Sequence, residues 1–116
     1  KMTDRDNLSW KEFERVDLRV GTVVSAEFFE EAIKPAIKLS IDFGAEIGIK
    51  KSSAQITDHY EPETLVGKQI VAVVNFPKKQ IGPFMSECLV TGFVQSGGDI
   101  ILAIPDKQAR NGSRMA

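Results

Sequence analysis

VDLRVGTVVS, residues 16–25, is where the chain turns from a helical period to a period of two. Val16, Leu18, Val20, Thr22 and Val24 fall on one face, with Asp17, Arg19 and Ser25 on the other. Alternation of this kind is the signature of a half-buried strand. It resumes after the stretch EFFEEAIKPA, where Ile37, Leu39, Ile41 and Phe43 oppose Lys38, Ser40 and Asp42. Gly44 marks a turn, and Ile47 and Ile49 are expected to continue the inward face of a third strand, so the three form a meander.

Upstream, Ser9-Trp10-Lys11-Glu12 is a capping box, with Leu8 and Phe13 at the staple positions. It predicts a short helix that starts near Trp10 and ends before Val16. Downstream, SSAQITDHY loses the alternation and is expected to form one or two helical turns. Pro62 and Gly67 bracket another short turn of helix. QIVAVVNF is apolar on both faces, as a central strand is, and SECLVTGFV leads through the Gly97-Gly98-Asp99 hairpin signal into IILAIP.

Three meandering strands, a small helix and further strands predict an all-β fold: a five-stranded OB barrel with an N-terminal helix, a short helix between strands 3 and 4, and an added C-terminal hairpin strand. In that fold the ligand face is the exposed side of strands 2 and 3, overhung by the loops joining strands 1–2 and 4–5. The strand 4–5 connection is NFPKKQIGPFMSE, residues 75–87, loaded with two lysines, two aromatics and a methionine.

The totals bound the function. The 116 residues suit one domain. Fifteen Lys and Arg against 16 Asp and Glu give a formal charge of −1, which excludes a uniformly basic nucleic-acid binder. Cys88 is the only cysteine, so no internal disulfide can form and a reducing, cytoplasmic setting is expected. The polar start and the lack of a long apolar run predict neither a signal peptide nor membrane insertion. Asn111-Gly112-Ser113 reads as a turn.

Lys50-Lys51-Ser52-Ser53, at the end of the expected third strand, and Lys78 and Lys79 place four cations on one rim of the expected barrel, around the greasy floor of Phe76, Phe84 and Met85. Taken singly, each lysine reads as a solubilising loop residue; the constellation reads as a site. An RNA strand would stack bases on the aromatics, at about 1–3 kcal/mol per base, with lysines on the phosphates. An extended peptide would seat apolar side chains there and hydrogen-bond to a strand edge. No catalysis is expected. Cys88 alternates with Val90 in an apolar strand as a core thiol, and His59, the only histidine, reads as a surface residue. Glu27, Glu30 and Glu31 read as a solvated acidic rim. No Gly-rich phosphate loop and no Cys/His metal spacing occurs, so neither cofactor nor metal is expected.

DLRVGTVVSAE, YEPETLVGKQIVAVVNF and SECLVTGF resemble the tRNA-binding domain family, the OB domain appended to methionyl-tRNA synthetases and also found free-standing. Within it, KPAIKLSIDFGAEIGIKKSSAQIT and VNFPKKQIGPFMSE resemble the branch of small export-related chaperones. The resemblance implies that Asn75, Lys78, Lys79 and Ser86 belong to a nucleic-acid-facing motif. Cys88-Leu89 in place of a Gly-Met pair, and the longer KKSSAQ passage, move the chain towards the chaperone branch. It further implies an ATP-independent homodimer that binds unfolded preproteins or peptides and meets the export motor ATPase, with tRNA binding as the alternative function. Residues 1–15 would then form a dimer contact ahead of the 16–116 domain, with Trp10, Phe13, Ile104 and Met115 at the interface.

Overall fold

The structure is a computed structural model and describes residues 6–116; the first five residues of the 1–15 segment lie outside the described residues. α1 spans Trp10–Glu14 and α2 Pro62–Leu65. The strands are β1 Leu18–Phe28, β2 Ile37–Asp42, β3 Ile49–Ala54, β4 Gln69–Val73, β5 Lys79–Ile81, β6 Phe84–Ser86, β7 Leu89–Val90, β8 Gly92–Val94 and β9 Ile100–Leu102. One antiparallel sheet runs β3-β2-β1-β4-β7, and β5–β6 and β8–β9 are separate hairpins.

The sheet curls until its two edges almost meet. Where they do, the Glu87 N–H donates to the Lys51 carbonyl at 2.8 Å and the Ser52 hydroxyl donates to the Cys88 carbonyl at 2.9 Å. The result is a nearly closed five-stranded barrel of OB type, with α2 between β3 and β4. Its core is Val23, Ile37, Leu39, Ile41, Phe43, Ile56, Leu65, Ile70 and Leu102, all buried. β2 buries Ile37, Leu39 and Ile41 as its alternation predicts, and every residue of β4 is buried, as befits a strand flanked on both edges.

Four expectations are corrected. On β1 the core-facing residues are Gly21 and Val23, while Val24 is exposed beyond a bulge between Val23 and Ser25. Gly21 carries no apolar side chain to signal this. A Cβ there would lie 2.6 Å from Ile41 and 2.7 Å from Phe43, so the barrel wall is closest at that point. On β3 the buried residues are Ser52 and Ala54, and Ile49 is exposed. SSAQITDHY forms no helix; Ser52–Ala54 complete β3 and a turn covers 57–59. The 75–87 connection, expected as a loop, contains the β5–β6 hairpin, with Gly82 at φ 56° where a two-residue turn needs a positive φ.

The chain end doubles back on β1. Gly112 N–H donates to the Val20 carbonyl and Met115 N–H to that of Leu18, both at 2.8 Å. Asn111 locks this return: its Oδ1 accepts from the Thr22 hydroxyl at 2.8 Å and from Gln69 Nε2 at 3.2 Å. The Asn-Gly pair is thus a turn, with Gly112 at φ 89° and no room for a Cβ, which would lie 2.6 Å from the Phe43 carbonyl oxygen.

Candidate functional site

The 75–87 connection starts from an anchor. The Asn75 amide donates to the Arg15 carbonyl at 2.7 Å and accepts from the Asp17 N–H at 3.0 Å. It therefore ties the end of β4 to the junction of α1 and β1. From there the hairpin folds back over the barrel, and β6 packs beside β3. This places Phe84 on the outer face of β2 and β3. Its ring meets that of Phe29 at 5.4 Å between centroids. The Lys51 ammonium lies 5.4 Å from the Phe84 centroid, and Lys38 lies 5.9 Å from it and 5.4 Å from Phe29. Each ammonium is attracted by the ring face it lies over.

The hairpin divides the surface in two. On one side is a cleft of about 430 Å³ lined by Phe76, Pro77, Lys78, Lys79, Ser86, Cys88 and Leu89. Phe76 and Leu89 are exposed there, and Lys78 and Lys79 stand over them. On the other side is a polar groove of about 270 Å³ along β1, β2 and β3, where Lys38, Ser40 and Lys51 face Phe84. Both lie where the OB fold places its ligands.

Of the residues singled out from the sequence, Phe76, Lys78, Lys79 and Ser86 share the cleft, and Lys51 and Phe84 share the groove. Met85 is half-buried in β6, and Ser53 is half-buried on the outer face of β3. Lys50 pairs in register with core residue Ile41 and so alternates away from Lys51. Ser52 is buried, and its hydroxyl serves the barrel seam. Asn75 serves the anchor just described. Trp10, Phe13 and Met115 line a separate hollow of about 480 Å³ with Val16, Glu14 and Arg114. Ile104 is exposed but does not line that hollow.

Several residues of the site escaped the sequence reading, Pro77 and Leu89 of the cleft among them. Lys38 belongs to the outward set of β2 and was visible as such, because that strand forms the ligand face. Glu87 was not. Its carboxylate accepts the Lys51 N–H at 3.0 Å and meets the Lys78 ammonium at 3.6 Å. The Lys51 hydrogen bond first, and then the charges of Lys78, Lys51 and Lys50, hold the Glu87 carboxyl below the usual carboxylate range.

Cys88 is buried, and that burial pushes its thiol up to about 11, so it is protonated at neutral pH. His59 is exposed and pairs with Asp99 of the β8–β9 turn. Among the described residues no group of three or more His, Cys, Asp or Glu could hold a metal ion. No helix among them is long and apolar enough to cross a membrane.

The chain is similar over its length to solved structures of the chaperone CsaA. That from Bacillus anthracis is 52% identical, with TM-score 0.89 and 95% of this chain and 99% of that one covered. That from Picrophilus torridus is 46% identical, with TM-score 0.88, covering 95% and 100%. The methionine–tRNA ligase of Methanococcoides burtonii is 30% identical over 109 residues, which is 94% of this chain but only 16% of the enzyme. The chain thus spans only a small part of that enzyme's length. Residues 18–114 match the tRNA binding domain family, so the barrel from β1 to the chain end is one copy of that domain. The chain belongs to the tRNA binding domain family.

Proposed function

We propose that this protein is an ATP-independent, homodimeric chaperone that binds unfolded polypeptides in the cytoplasm and holds them for export. The observation that carries the reading is the cleft of Phe76, Pro77 and Leu89 edged by Lys78 and Lys79. At about 430 Å³ it falls in the range of small-ligand pockets and accepts apolar side chains. The ammonium groups at its edge attract carboxylates and backbone carbonyls, which sets the encounter rate more than the affinity. The likeness to CsaA chaperones supports the same reading. The partners are preproteins or other extended peptides, and the export motor ATPase that would receive them. Two clefts in a dimer would grip one long chain at two places and raise avidity without a new contact. The chemistry is binding alone, with no catalytic residue and no cofactor.

A second reading, tRNA binding, is favoured by the groove, where Lys38 and Lys51 flank the ring of Phe84. Such an arrangement suits a stacked base between phosphates.

Salt separates the two. Lys38, Lys51, Lys78 and Lys79 less Glu87 leave three net charges, so a nucleic-acid ligand gives a log–log salt slope of roughly −2 to −3. Capture of apolar side chains is nearly flat in salt and carries a negative heat-capacity change. Titration of an unfolded model preprotein and of tRNA over one salt series is therefore the deciding experiment. Failure of the protein to suppress aggregation of any unfolded substrate overturns the chaperone reading.

A further inference from the structure

Glu87 occupies an unusual position for a carboxylate. It sits beside Lys78 and within the electrostatic reach of Lys51 and Lys50. Its side chain is 20% exposed while that of its partner Lys78 is 66% exposed, so the anion lies beneath the cations. It is held by two bonds to one residue: its own N–H donates to the Lys51 carbonyl at 2.8 Å, and its Oε1 accepts the Lys51 N–H at 3.0 Å. The carboxylate thus takes the place that a strand carbonyl would have in a regular pair. Its other oxygen, Oε2, is left to face Lys78 at 3.6 Å. Glu87 does not itself line the cleft, but Lys78, the cation its Oε2 meets, does.

We propose that Glu87 is a specificity-determining residue, a built-in counter-anion that is tethered by the Lys51 backbone N–H and occupies the Lys78 ammonium that a phosphate would otherwise take. With Glu87 present, a polyanion must compete with a tethered carboxylate for Lys78, whereas an apolar side chain entering beside Phe76 and Leu89 meets no such competitor. The rim therefore steers ligands by charge without retaining nucleic acid. This inference rests on the polypeptide-binding reading above and sharpens it: the same cleft rejects one class of ligand and admits the other. Lys79 behaves differently, because among the described residues no carboxylate lies within ion-pair distance of it.

The test is Glu87→Gln, which keeps an oxygen acceptor for the Lys51 N–H and removes the charge. The probes are a short single-stranded uridine oligonucleotide and an apolar extended peptide. We expect the variant to bind the oligonucleotide roughly three- to tenfold more tightly at about 0.1 M salt, with a salt slope steeper by up to about 1. Peptide affinity should change by less than about twofold. Unchanged oligonucleotide affinity and slope, or an equal gain for the peptide, overturns the proposal. A check that needs no variant is the carbon-13 resonance of the wild-type Glu87 carboxylate. Saturating oligonucleotide should shift it and saturating peptide should not; a resonance that ignores the oligonucleotide also overturns the proposal. The outcome is independent of the chaperone reading, which stands or falls on aggregation suppression by the wild-type protein.

Discussion

The cleft beside the β5–β6 hairpin and the hollow beneath α1 are close in size, about 430 and about 480 Å³, and both expose large apolar side chains. They differ in charge. The cleft is edged by Lys78 and Lys79, with Glu87 set back beneath. In the hollow the one cation, Arg114, donates to the Glu14 carbonyl at 2.6 Å and lies 3.5 Å from Asp17, so its charge is already answered. An interface core is depleted in free charge. A surface that must catch and release ligands gains from charges at its edge. This contrast supports the proposal that the hollow receives a second copy of this chain and the cleft transient ligands.

Breaking the hollow should have the largest effect. α1 is five residues long and buries none of them, although Trp10 is 85% exposed. A helix that short has no stability of its own in water. What holds it is the capping box, in which Glu12 N–H donates to Ser9 Oγ at 3.2 Å and Ser9 N–H to Glu12 Oε1 at 2.9 Å, and the Asn75 anchor. A partner that covers Trp10, Phe13 and Met115 would complete it. Trp10→Asp should therefore cost at least about 2 kcal/mol of dimer affinity, roughly thirtyfold or more. Sedimentation should show a monomer at concentrations where the parent chain is a dimer, and an unchanged dimer would reverse the assignment of the two surfaces.

How far this contrast was legible in the sequence depended on side-chain size. The capping box announced α1, and the alternation of Ile37, Leu39 and Ile41 announced β2, because large apolar residues at regular spacing leave little choice of face. β1 was read on the wrong face, since its closest approach to the core is made by Gly21, which has no side chain to count. β3 was misread for a related reason. Its inward residues are Ser52 and Ala54, small enough for the seam, while apolar Ile49 is left outside. The lysine pair of the cleft was plain from composition. Glu87 was not, because its role depends on a residue 36 positions away that only the barrel seam brings near. Local patterns carry the strands; the seam, and with it the electrostatics of the site, is a long-range property.

Removing the charge difference between the two surfaces sharpens the comparison next. Lys78→Ala with Lys79→Ala leaves Phe76 and Leu89 in place and should leave the dimer intact. Oligonucleotide binding should fall by about tenfold, with a salt slope shallower by about 1.5. An apolar peptide should lose less than about threefold, chiefly through a slower association rate, which stopped-flow mixing would resolve. Equal losses for both ligands would mean that the lysines are part of the apolar contact itself.

The smallest expected effect concerns acid. The Glu87 carboxyl is held below its ordinary value by the Lys51 N–H and by the lysines around it. A carboxyl with a depressed folded-state value contributes stability that is present above its unfolded-state value, and that is lost as pH falls through the folded-state one. The seam should therefore weaken only as the pH falls below the usual carboxylate range, where protonation removes the ion pair with Lys78 and weakens the acceptor for Lys51. Thermal melts from pH 6 down to pH 3 should show a drop that is smaller in Glu87→Gln, which has no proton to take up at that position. In the hollow Arg114 keeps the Glu14 backbone carbonyl, which takes up no proton, even when its other partner, the Asp17 carboxylate at 3.5 Å, is protonated. Acid should thus loosen the cleft side of the barrel before the dimer, and a dimer that dissociates first would place the pH-sensitive contact on the wrong surface.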